Sequence, residues 1–384
     1  MKHNRNILIM YAIALLQGMV FYAPVATLYR QAAGLGIFQI SLIEGISLGL
    51  MIALELPWGY IADRIGYRRT MLFCCGLFFV SKLVFWRAES FGGFLLERVL
   101  LSIVGAGLSG VDATVLYLSC GEGESHRVFS IYQNLGEAGM VLSAAVFALF
   151  LGERYRTAAL LTAVSYGLAG VLAVCLTEVR PPEARERRLR IGLKETVKSQ
   201  LTNGRNLMLL LCAALLGETH QMVTVFLSQL QYTRAGMGAS AISWSFIGVC
   251  LAGLLGGFSA DLTARLGQRK TGSALILTGA AACFGMALTK NAFLSVAAVI
   301  ALRGCNSLFS PLCAEIENRL VSSPDRATAL SVNAVVGDGL SIGLNLIFGW
   351  AAQGSLPWAL AFGGGMCLVS LLSFRSVQKE NARQ

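Results

Sequence analysis

The sequence predicts an all-α integral membrane protein built from twelve membrane-spanning helices in two repeated six-helix units. Its 384 residues are 55% hydrophobic and only 14% charged, with a mean hydropathy of +0.64. Soluble domains carry about a quarter charged residues, so this composition excludes an ordinary soluble or disordered chain. Twelve apolar runs are long enough to cross a bilayer, which takes about 20 residues each. A charged loop motif also occurs twice, at equivalent places in the two halves.

The predicted spans form two sets with a charged stretch between them. The first set is 7–29, 38–61, 70–87, 92–118, 128–150 and 157–178, and the second is 206–230, 240–260, 271–289, 291–313, 328–350 and 356–374. The stretch between them begins with Pro181 and Pro182 and is rich in Arg, so it cannot lie in hydrocarbon. We expect a surface-lying helix near 191–201. The predicted domains are 1–179, a cytoplasmic linker 180–205, 206–375 and a cytoplasmic tail 376–384.

Basic residues are distributed unevenly over the predicted loops. Twenty-two of the 31 Lys and Arg residues lie on the side that holds both termini and the linker, and six lie on the other side. Basic loops stay in the cytoplasm, so both termini are predicted to be cytoplasmic. The net charge of +10 is thus explained by topology and by contact with anionic lipid, and we expect no nucleic-acid partner.

The ten cysteines indicate packing and no metal chemistry. They lie in or at the ends of apolar runs, none forms a C-x-x-C motif, and no histidine cluster accompanies them. We interpret them as small buried apolar residues. The sequence therefore predicts no metal site and no cofactor.

The loop after the second span recurs after the eighth. It contains Gly59, Asp63, Arg64, Gly66, Arg68 and Arg69, and its copy contains Gly257, Asp261, Arg265, Gly267 and Arg269. Further along the chain Arg98 matches Arg303, Arg127 matches Arg326, and Glu137 matches Asp338, at separations between 198 and 205 residues. Near-constant separation indicates a duplicated unit with small insertions. Because both loops fall on one side, each unit crosses the membrane an even number of times, and six crossings give parallel repeats.

This loop is similar to the signature loop between the second and third helices of the major facilitator superfamily. The span pattern extends the resemblance over about the whole chain. It implies two six-helix bundles that rock around a central cavity, with Asp63 locking them together on the cytoplasmic side. The residue types suit such a gate, since glycine permits a tight turn, an acid can pair near a helix end, and arginines bind anionic headgroups.

Other signatures of the superfamily are altered. Glu55 and Pro57 precede Gly59 in a segment that resembles a variant of bacterial permeases, and we interpret Glu55 as a local partner of the loop arginines. Arg98 resembles the arginine of the fourth helix in this superfamily. Drug-proton antiporters of the superfamily usually carry a Gly-Pro pair in the fifth helix, whereas this chain has Gly136 followed by Glu137.

Several polar and ionisable residues remain deep in the predicted spans, where a charge costs about 2.5–3.5 kcal/mol on insertion scales. They are Gln17, Arg98, Asp112, Glu137, Glu218, His220, Gln221, Arg303 and Asp338. The resemblance places these spans around the cavity and at the interface of the bundles. One interpretation is that acids pair with arginines and only fix helix packing. The other is that Glu137 or Asp338 takes up and releases a proton as access alternates.

The seventh predicted span holds a cluster of these residues. Glu218 and Gln221 are three residues apart, so we expect them to share a helix face, while His220 projects elsewhere. We interpret His220 as a hydrogen-bonded interior histidine rather than a proton relay.

The resemblance implies a secondary transporter that moves a small organic solute by alternating access. Proton-coupled efflux by antiport of an amphipathic or cationic compound is favoured, because the cavity acids outnumber the bases. Proton-coupled uptake of a small metabolite is the alternative, with Arg98 and Arg303 binding its anionic group. A third possibility is a non-transporting sensor on the same fold, against which the two intact loops argue.

The expected partners are a small-molecule substrate, a proton and membrane lipid. We expect a monomer in the inner or plasma membrane. No nucleophile-base-acid arrangement and no nucleotide-binding loop is visible, so the sequence predicts neither an enzyme nor an ATP-driven pump.

Overall fold

The computed structural model describes residues 2–120, 125–179, 193–320 and 326–381. Over these residues the protein is helical throughout, and it contains twelve segments of 19 to 31 residues that are long and apolar enough to cross a membrane. This confirms the predicted class and number of spans. The linker helix expected near 191–201 is present as Leu193–Thr202, whereas residues 180–192 of the linker lie outside the described part.

The chain folds into two compact units, of which unit 1 comprises the described residues of Met1–Leu35, Ile46–Glu186 and Ala239–Ile247. Its helices are α1 (Lys2–Gly18), α2 (Ala26–Ala32), α3 (Ile37–Ile65), α4 (Tyr67–Arg87), α5 (Phe91–Leu108), α6 (Val111–Ser119), α7 (Ser125–Val146) and α8 (Tyr155–Val174), the start of α3 belonging to unit 2. Gly110 lies between α5 and α6 and has a φ of +78°, a conformation that glycine adopts more readily than other residues. Pro24 lies in a 3₁₀ turn between α1 and α2, where a proline needs no backbone N–H partner.

Unit 2 comprises the described residues of Gly36–Gly45, Arg187–Gly238 and Gly248–Gln384. Its helices are α9 (Leu193–Thr202), α10 (Gly204–His220), α11 (Ser228–Arg234), α12 (Ala239–Gly253), α13 (Ser259–Leu266), α14 (Gln268–Leu288), α15 (Ala292–Leu320), α16 (Arg326–Gly354) and α17 (Leu356–Asn381), the start of α12 belonging to unit 1. A π-helical segment, Gln221–Leu227, joins α10 to α11. Such segments change the register of a helix and often occur beside functional residues.

Each unit has its own apolar core. Met10, Ile13 and Leu116 are fully buried in unit 1, as are Leu209 and Phe374 in unit 2. Eight of the ten cysteines are buried and all ten are free thiols, which agrees with their interpretation as packing residues. Close packing of this kind holds the helices at fixed positions, so polar side chains between them have defined partners.

Each unit also includes the beginning of one helix from the other half of the sequence. In unit 1 the buried hydroxyl of Ser243, on α12, donates to the carbonyl oxygen of Ala144 on α7 at 2.7 Å. In unit 2 the start of α3 packs so closely on α16 that a Cβ on Gly349 would lie 2.5 Å from the Cβ of Ser41. The domain boundaries predicted at 179 and 206 stay predictions.

A buried asparagine stands at the start of the first helix of each half, at positions 200 residues apart. Asn6 of α1 hydrogen-bonds Ser119 and Thr177 within unit 1. Asn206 of α10 hydrogen-bonds Asn333 at 2.8 Å and Gln200 at 3.2 Å within unit 2. The amide of Asn206 thus ties the linker helix α9 to two long helices of unit 2.

Candidate functional site

A buried carboxylate lies at the centre of unit 2. Glu218 is 6% exposed, near the end of α10, and its Oε1 accepts a hydrogen bond of 3.0 Å from the Nδ2 of Asn345. Ser341, one turn earlier on α16, hydrogen-bonds the same carboxyl. Residues four apart project from one face of a helix, so α16 holds Glu218 with an amide and a hydroxyl. These donors are neutral, and they satisfy the oxygens without cancelling a charge.

His220 and Arg303 meet in the same unit. The Nη1 of Arg303 lies 3.4 Å from the Nε2 of His220, which is 6% exposed. A guanidinium only donates, so Nε2 acts as the acceptor and the imidazole is neutral. This contact favours the interpretation of His220 as a hydrogen-bonded interior residue.

Gly253 provides the space for that arginine. A Cβ built on Gly253 would lie 2.7 Å from the Nη2 of Arg303. Gly253 falls where the repeat would place a counterpart of Glu55, and the missing side chain lets the guanidinium pass close to the helix backbone. The position of Arg303 is therefore fixed both by a hydrogen bond and by a glycine.

A cavity of about 480 Å³ lies within unit 2 between α10, the end of α15 and α16. Its lining comprises Leu210, Ala213, Ala214, Gly217, Glu218, Glu317, Asn318, Leu330, Asn333, Ala334, Gly337, Asp338 and Ser341. The structure thus brings together two of the sequence candidates, Glu218 and Asp338, and adds a third acid, Glu317. No Lys or Arg occurs among these lining residues, so the ionisable groups in the described wall, which is otherwise mostly apolar, are all acidic.

Sequence reasoning missed Glu317, although a signal for it exists. Glu317 follows Asp112 by 205 residues, the same separation as Arg98 and Arg303. Each acid has a polar partner on the helix that follows: Asp112 hydrogen-bonds Tyr132, and Glu317 accepts from the Nδ2 of Asn333 at 2.9 Å. Extending the repeat alignment to the pairs Asp112/Glu317 and Tyr132/Asn333 would have identified both hydrogen-bonded acids.

Arg98 joins a charged cluster in unit 1 that sequence reasoning also missed. Its centre is Glu97, which is 1% exposed and lies 3.3 Å from the Nζ of Lys82. The guanidinium groups of Arg30 and Arg98 approach the other oxygen of Glu97 at 4.0 and 3.7 Å. Lys82 also donates to the hydroxyl of Tyr22 at 3.0 Å. For Arg98 this favours the interpretation as part of an internal ion-pair network.

The remaining candidates of unit 1 lie apart from that cluster. Asp112 is in the first turn of α6, where its Oδ1 accepts from the backbone N–H of Ala113 at 2.7 Å. Gln17 donates to the Sγ of Cys75 at 3.5 Å. Glu137 is half-buried, and the described residues offer it no hydrogen bond or ion pair. It belongs to unit 1, whereas its repeat partner Asp338 belongs to unit 2.

Gln221 is exposed, while Glu218 and His220 are buried. Glu218 accepts from Asn345 on α16 and His220 contacts Arg303 on α15, so His220 projects to a different helix from Glu218, as expected. The shared face of Glu218 and Gln221 stays a prediction; a π-helical segment begins at Gln221.

The two loops with the repeated motif share a backbone conformation. Gly66 has a φ of +92° and Gly267 a φ of +81°, both with a ψ of 150°, a region that only glycine populates readily. The duplication proposed from the sequence is therefore visible in the dihedral angles of the loops. The surroundings of Gly59 and the side chain of Asp63 lie outside the described part, so the gating role of Asp63 stays a prediction.

Arg68 of the first loop hydrogen-bonds the end of the first unit's last helix, α8, and the residues that follow it. Its side chain donates to the carbonyl oxygens of Leu176 and Val174 at 2.5 and 3.0 Å, and its backbone N–H donates to Glu178 at 3.3 Å. A cation at the end of a helix satisfies carbonyl groups that have no partner within the helix, here those at the end of α8. Arg64 and Arg69 are exposed, as are Asp261, Arg265 and Arg269 of the second loop.

These features define a class: a multi-pass membrane protein of two repeated units with acidic side chains around an internal cavity. The family model of the Major Facilitator Superfamily matches residues 7–338, and the chain belongs to this superfamily of transporters. It is therefore a secondary transporter and a multi-pass protein of the plasma membrane.

Solved structures of transporters share this fold. The nucleoside transporter NupG has a TM-score of 0.82 at 14% identity, with 98% of this chain and 99% of that chain covered. A bacterial homolog of the human lysosomal transporter Spinster, inward-facing and unoccupied, has a TM-score of 0.71 at 17% identity, covering 98% and 95%. An auto-inhibited peptide transporter of the POT family has a TM-score of 0.72 at 13% identity, covering 98% and 97%. No curated protein matches the sequence significantly.

Proposed function

We propose that this protein is a proton-coupled antiporter that exports a small amphipathic or cationic solute. The observation that carries the proposal is the cavity of unit 2, whose described lining includes Glu218, Glu317 and Asp338 but no basic side chain. A cationic group gains attraction from such a wall, and an anionic group is repelled by it. The acidic side chains of the cavity therefore favour the binding of positive or neutral solutes over anions.

Exchange follows from the chemistry of a buried carboxyl group. Glu218 is fixed by Asn345 and Ser341, which are neutral, so neither partner cancels its charge. In a water-poor interior a carboxyl group stays ionised only with a compensating charge, and either a proton or a cationic solute can supply it. Since one carboxylate accommodates one of the two at a time, binding is mutually exclusive. Alternating access then converts this competition into antiport.

The alternative, uptake of an anionic metabolite, has less support from the geometry. It requires Arg98 and Arg303 to bind the solute, and each has a partner within its unit. Arg98 lies 3.7 Å from Glu97, and Arg303 contacts His220. An anion would have to displace these contacts before it could bind.

The proposal is tested with purified protein in liposomes that carry an acidic lumen. We expect cationic amphipathic solutes to accumulate inside against their gradient and the lumen to become more alkaline as protons leave. The screen includes nucleosides, small peptides and 5-aminolevulinic acid, because transporters of similar structure are described with these ligands. A protonophore is the control for coupling.

The variant Glu218→Gln keeps a side chain of equal size and cannot ionise. We expect it to lose accumulation driven by the pH gradient at least ten-fold. Arg156→Gln, which breaks an exposed ion pair with Glu89, is the matched control and should transport as the wild type does. If the solute accumulates only when the acidic solution is outside the liposomes, the protein is a symporter instead. Equal transport with and without the gradient would refute proton coupling.

A further inference from the structure

The two halves differ at one equivalent pair of helices. In unit 1, α1 and α7 touch through glycines: a Cβ added to Gly18 would overlap the carbonyl oxygen of Gly136, and one added to Gly139 would overlap that of Leu15. The backbones of these helices are in direct contact. No space for water exists between them at this level, because a single methyl group would not fit.

The corresponding helices of unit 2, α10 and α16, leave a gap beside their glycines. Gly217 of α10 and Gly337 of α16 follow Gly18 and Gly136 by 199 and 201 residues, within the range of separations of the repeat. A Cβ built on either glycine meets no atom within 4 Å. Both glycines line the 480 Å³ cavity. The same pair of small residues that closes the helix contact in unit 1 borders a gap in unit 2.

Polar side chains follow this gap along α16. Asn333, Asp338 and Ser341 all line the cavity, and the last lies eight residues after the first, a rise of about 12 Å along the helix. Glu317, three residues before the end of α15, lies at the outer end of this row, and Glu218 lies at the inner end. The row therefore runs from the end of unit 2 that is predicted to be cytoplasmic to the buried carboxylate.

A buried amide oxygen marks the inner end. Asn345 is 6% exposed and donates to Glu218 through Nδ2, while its Oδ1 has no hydrogen-bond partner among the described residues. Such an oxygen is commonly satisfied by an internal water molecule where the site is polar and has room. Asn345 itself is not among the described cavity-lining residues, but Glu218, to which it donates, is.

We infer that the gap between α10 and α16 is a water-filled path that carries protons between the predicted cytoplasmic end of unit 2 and Glu218. The inference rests on the proposed proton coupling and adds the route by which the proton travels. Water and carboxyl groups along the row relay a proton by successive hydrogen bonds, and the proton ends on an oxygen of Glu218. Unit 1 has no such route between the described residues of α1 and α7, since its glycines close the equivalent contact.

The ionisable groups around Glu218 are consistent with a path for positive charge. Those within its own unit are Asp338 on α16, Glu317 on α15, Glu44 on α3, and His220 on α10 with its partner Arg303. The acids lie along the gap or close enough for their charge to act on Glu218, whereas Arg303 is engaged with His220 and is absent from the described cavity lining. Protons thus meet negative groups along the way.

Hydration of the gap is tested by thiol labelling. Gly337→Cys places a thiol in the cavity, and we expect a small methanethiosulfonate cation to label it in inverted membrane vesicles. The native Cys212 and Cys367, each 0% exposed, are internal controls that should stay unlabelled, with the labelled residue identified by peptide mapping. Failure to label position 337 under conditions that label the partly exposed Cys120 would overturn the inference.

Proton passage is tested by filling the gap. Gly337→Leu adds a side chain where a Cβ meets nothing within 4 Å, so the variant should fold, and Gly339→Leu is the matched control on the same helix outside the cavity lining. We expect Gly337→Leu to lower the proton flux in liposomes at least ten-fold and Gly339→Leu to retain it. A wild-type proton flux in Gly337→Leu would overturn the inferred proton path and leave the proposed function intact. Wild-type protein that moves no protons would overturn both.

Discussion

Two buried acids, one in each unit, stand in opposite surroundings. Glu97 of unit 1 is 1% exposed and is approached by the side chains of Lys82, Arg30 and Arg98. Glu218 of unit 2 is 6% exposed and is held by the amide of Asn345 and the hydroxyl of Ser341. A carboxylate among cations is locked in place by ion pairs, whereas neutral donors leave the charge of an ionised carboxylate uncompensated. Burial alone therefore does not distinguish the two acids.

The largest effect on stability is expected when Glu97, the acid locked in place by cations, is replaced by a neutral residue. Glu97→Gln leaves Lys82 and its neighbouring arginines buried without their anion, and breaking a buried ion pair costs about 3–5 kcal/mol. Denaturant unfolding in detergent should show this loss in the free energy of unfolding. Glu89→Gln, which breaks an exposed pair with Arg156, is the control and should change it by less than about 1 kcal/mol. Equal losses would mean that the Glu97 cluster does not hold unit 1 together.

The helix contacts of the two units provide the next comparison. Gly139→Ala forces a methyl group against the carbonyl oxygen of Leu15, so α1 and α7 must move apart at a cost of about 1–3 kcal/mol. Gly337→Ala enters open space and should leave stability unchanged or raise it by up to about 1 kcal/mol, since alanine favours helix. Thermal unfolding of both variants measures the difference. Similar melting temperatures would contradict the contrast between a closed contact and a gap.

A smaller effect on stability is expected when Gly253, which lies beside Arg303 of unit 2, is replaced. Gly253→Ala pushes the guanidinium of Arg303 away from the helix and lengthens its hydrogen bond to His220, which is worth about 0.5–1.5 kcal/mol. Gly257→Ala, four residues later, meets no atom within 4 Å and is the control. Unfolding of the two proteins under the same conditions checks the prediction. The role assigned to Gly253 fails if both substitutions have the same effect.

The smallest effect on stability is expected for Glu218, the acid that we propose carries the proton. Glu218→Gln retains an oxygen that accepts from Asn345, so the free energy of unfolding should change by less than about 1 kcal/mol while coupling is lost. The comparison with Glu97→Gln is direct, because both replace a buried glutamate by glutamine. A loss of several kcal/mol at Glu218 would show that its charge is structural.

The number of spans and the repeat could be predicted from the sequence because both depend on local patterns. Runs of about 20 apolar residues specify spans, and near-constant separations specify the duplication. Glu218 and Asp338, which the structure places at one cavity, could be selected as candidates because a charge in a predicted span is conspicuous. Glu97 was missed although it adjoins Arg98, because its partners Lys82 and Arg30 come from other helices.

The partners of each candidate could not be predicted because they depend on how the helices pack. Asn345 lies 127 residues after Glu218, and no local pattern indicates that α16 presents it to α10. The π-helical segment that begins at Gln221 was not predicted either.

The dihedral angles of Gly66 and Gly267 have a consequence for tolerance to mutation. Both residues adopt a backbone conformation that side chains disfavour, and Gly267 is exposed to its surroundings. In a saturation mutagenesis scan, exposed loop positions accept most amino acids, and the neighbouring Arg269 should do so. Gly66 and Gly267 should instead reject every alternative, and the two intolerant positions would reveal the ancestral duplication without any structure.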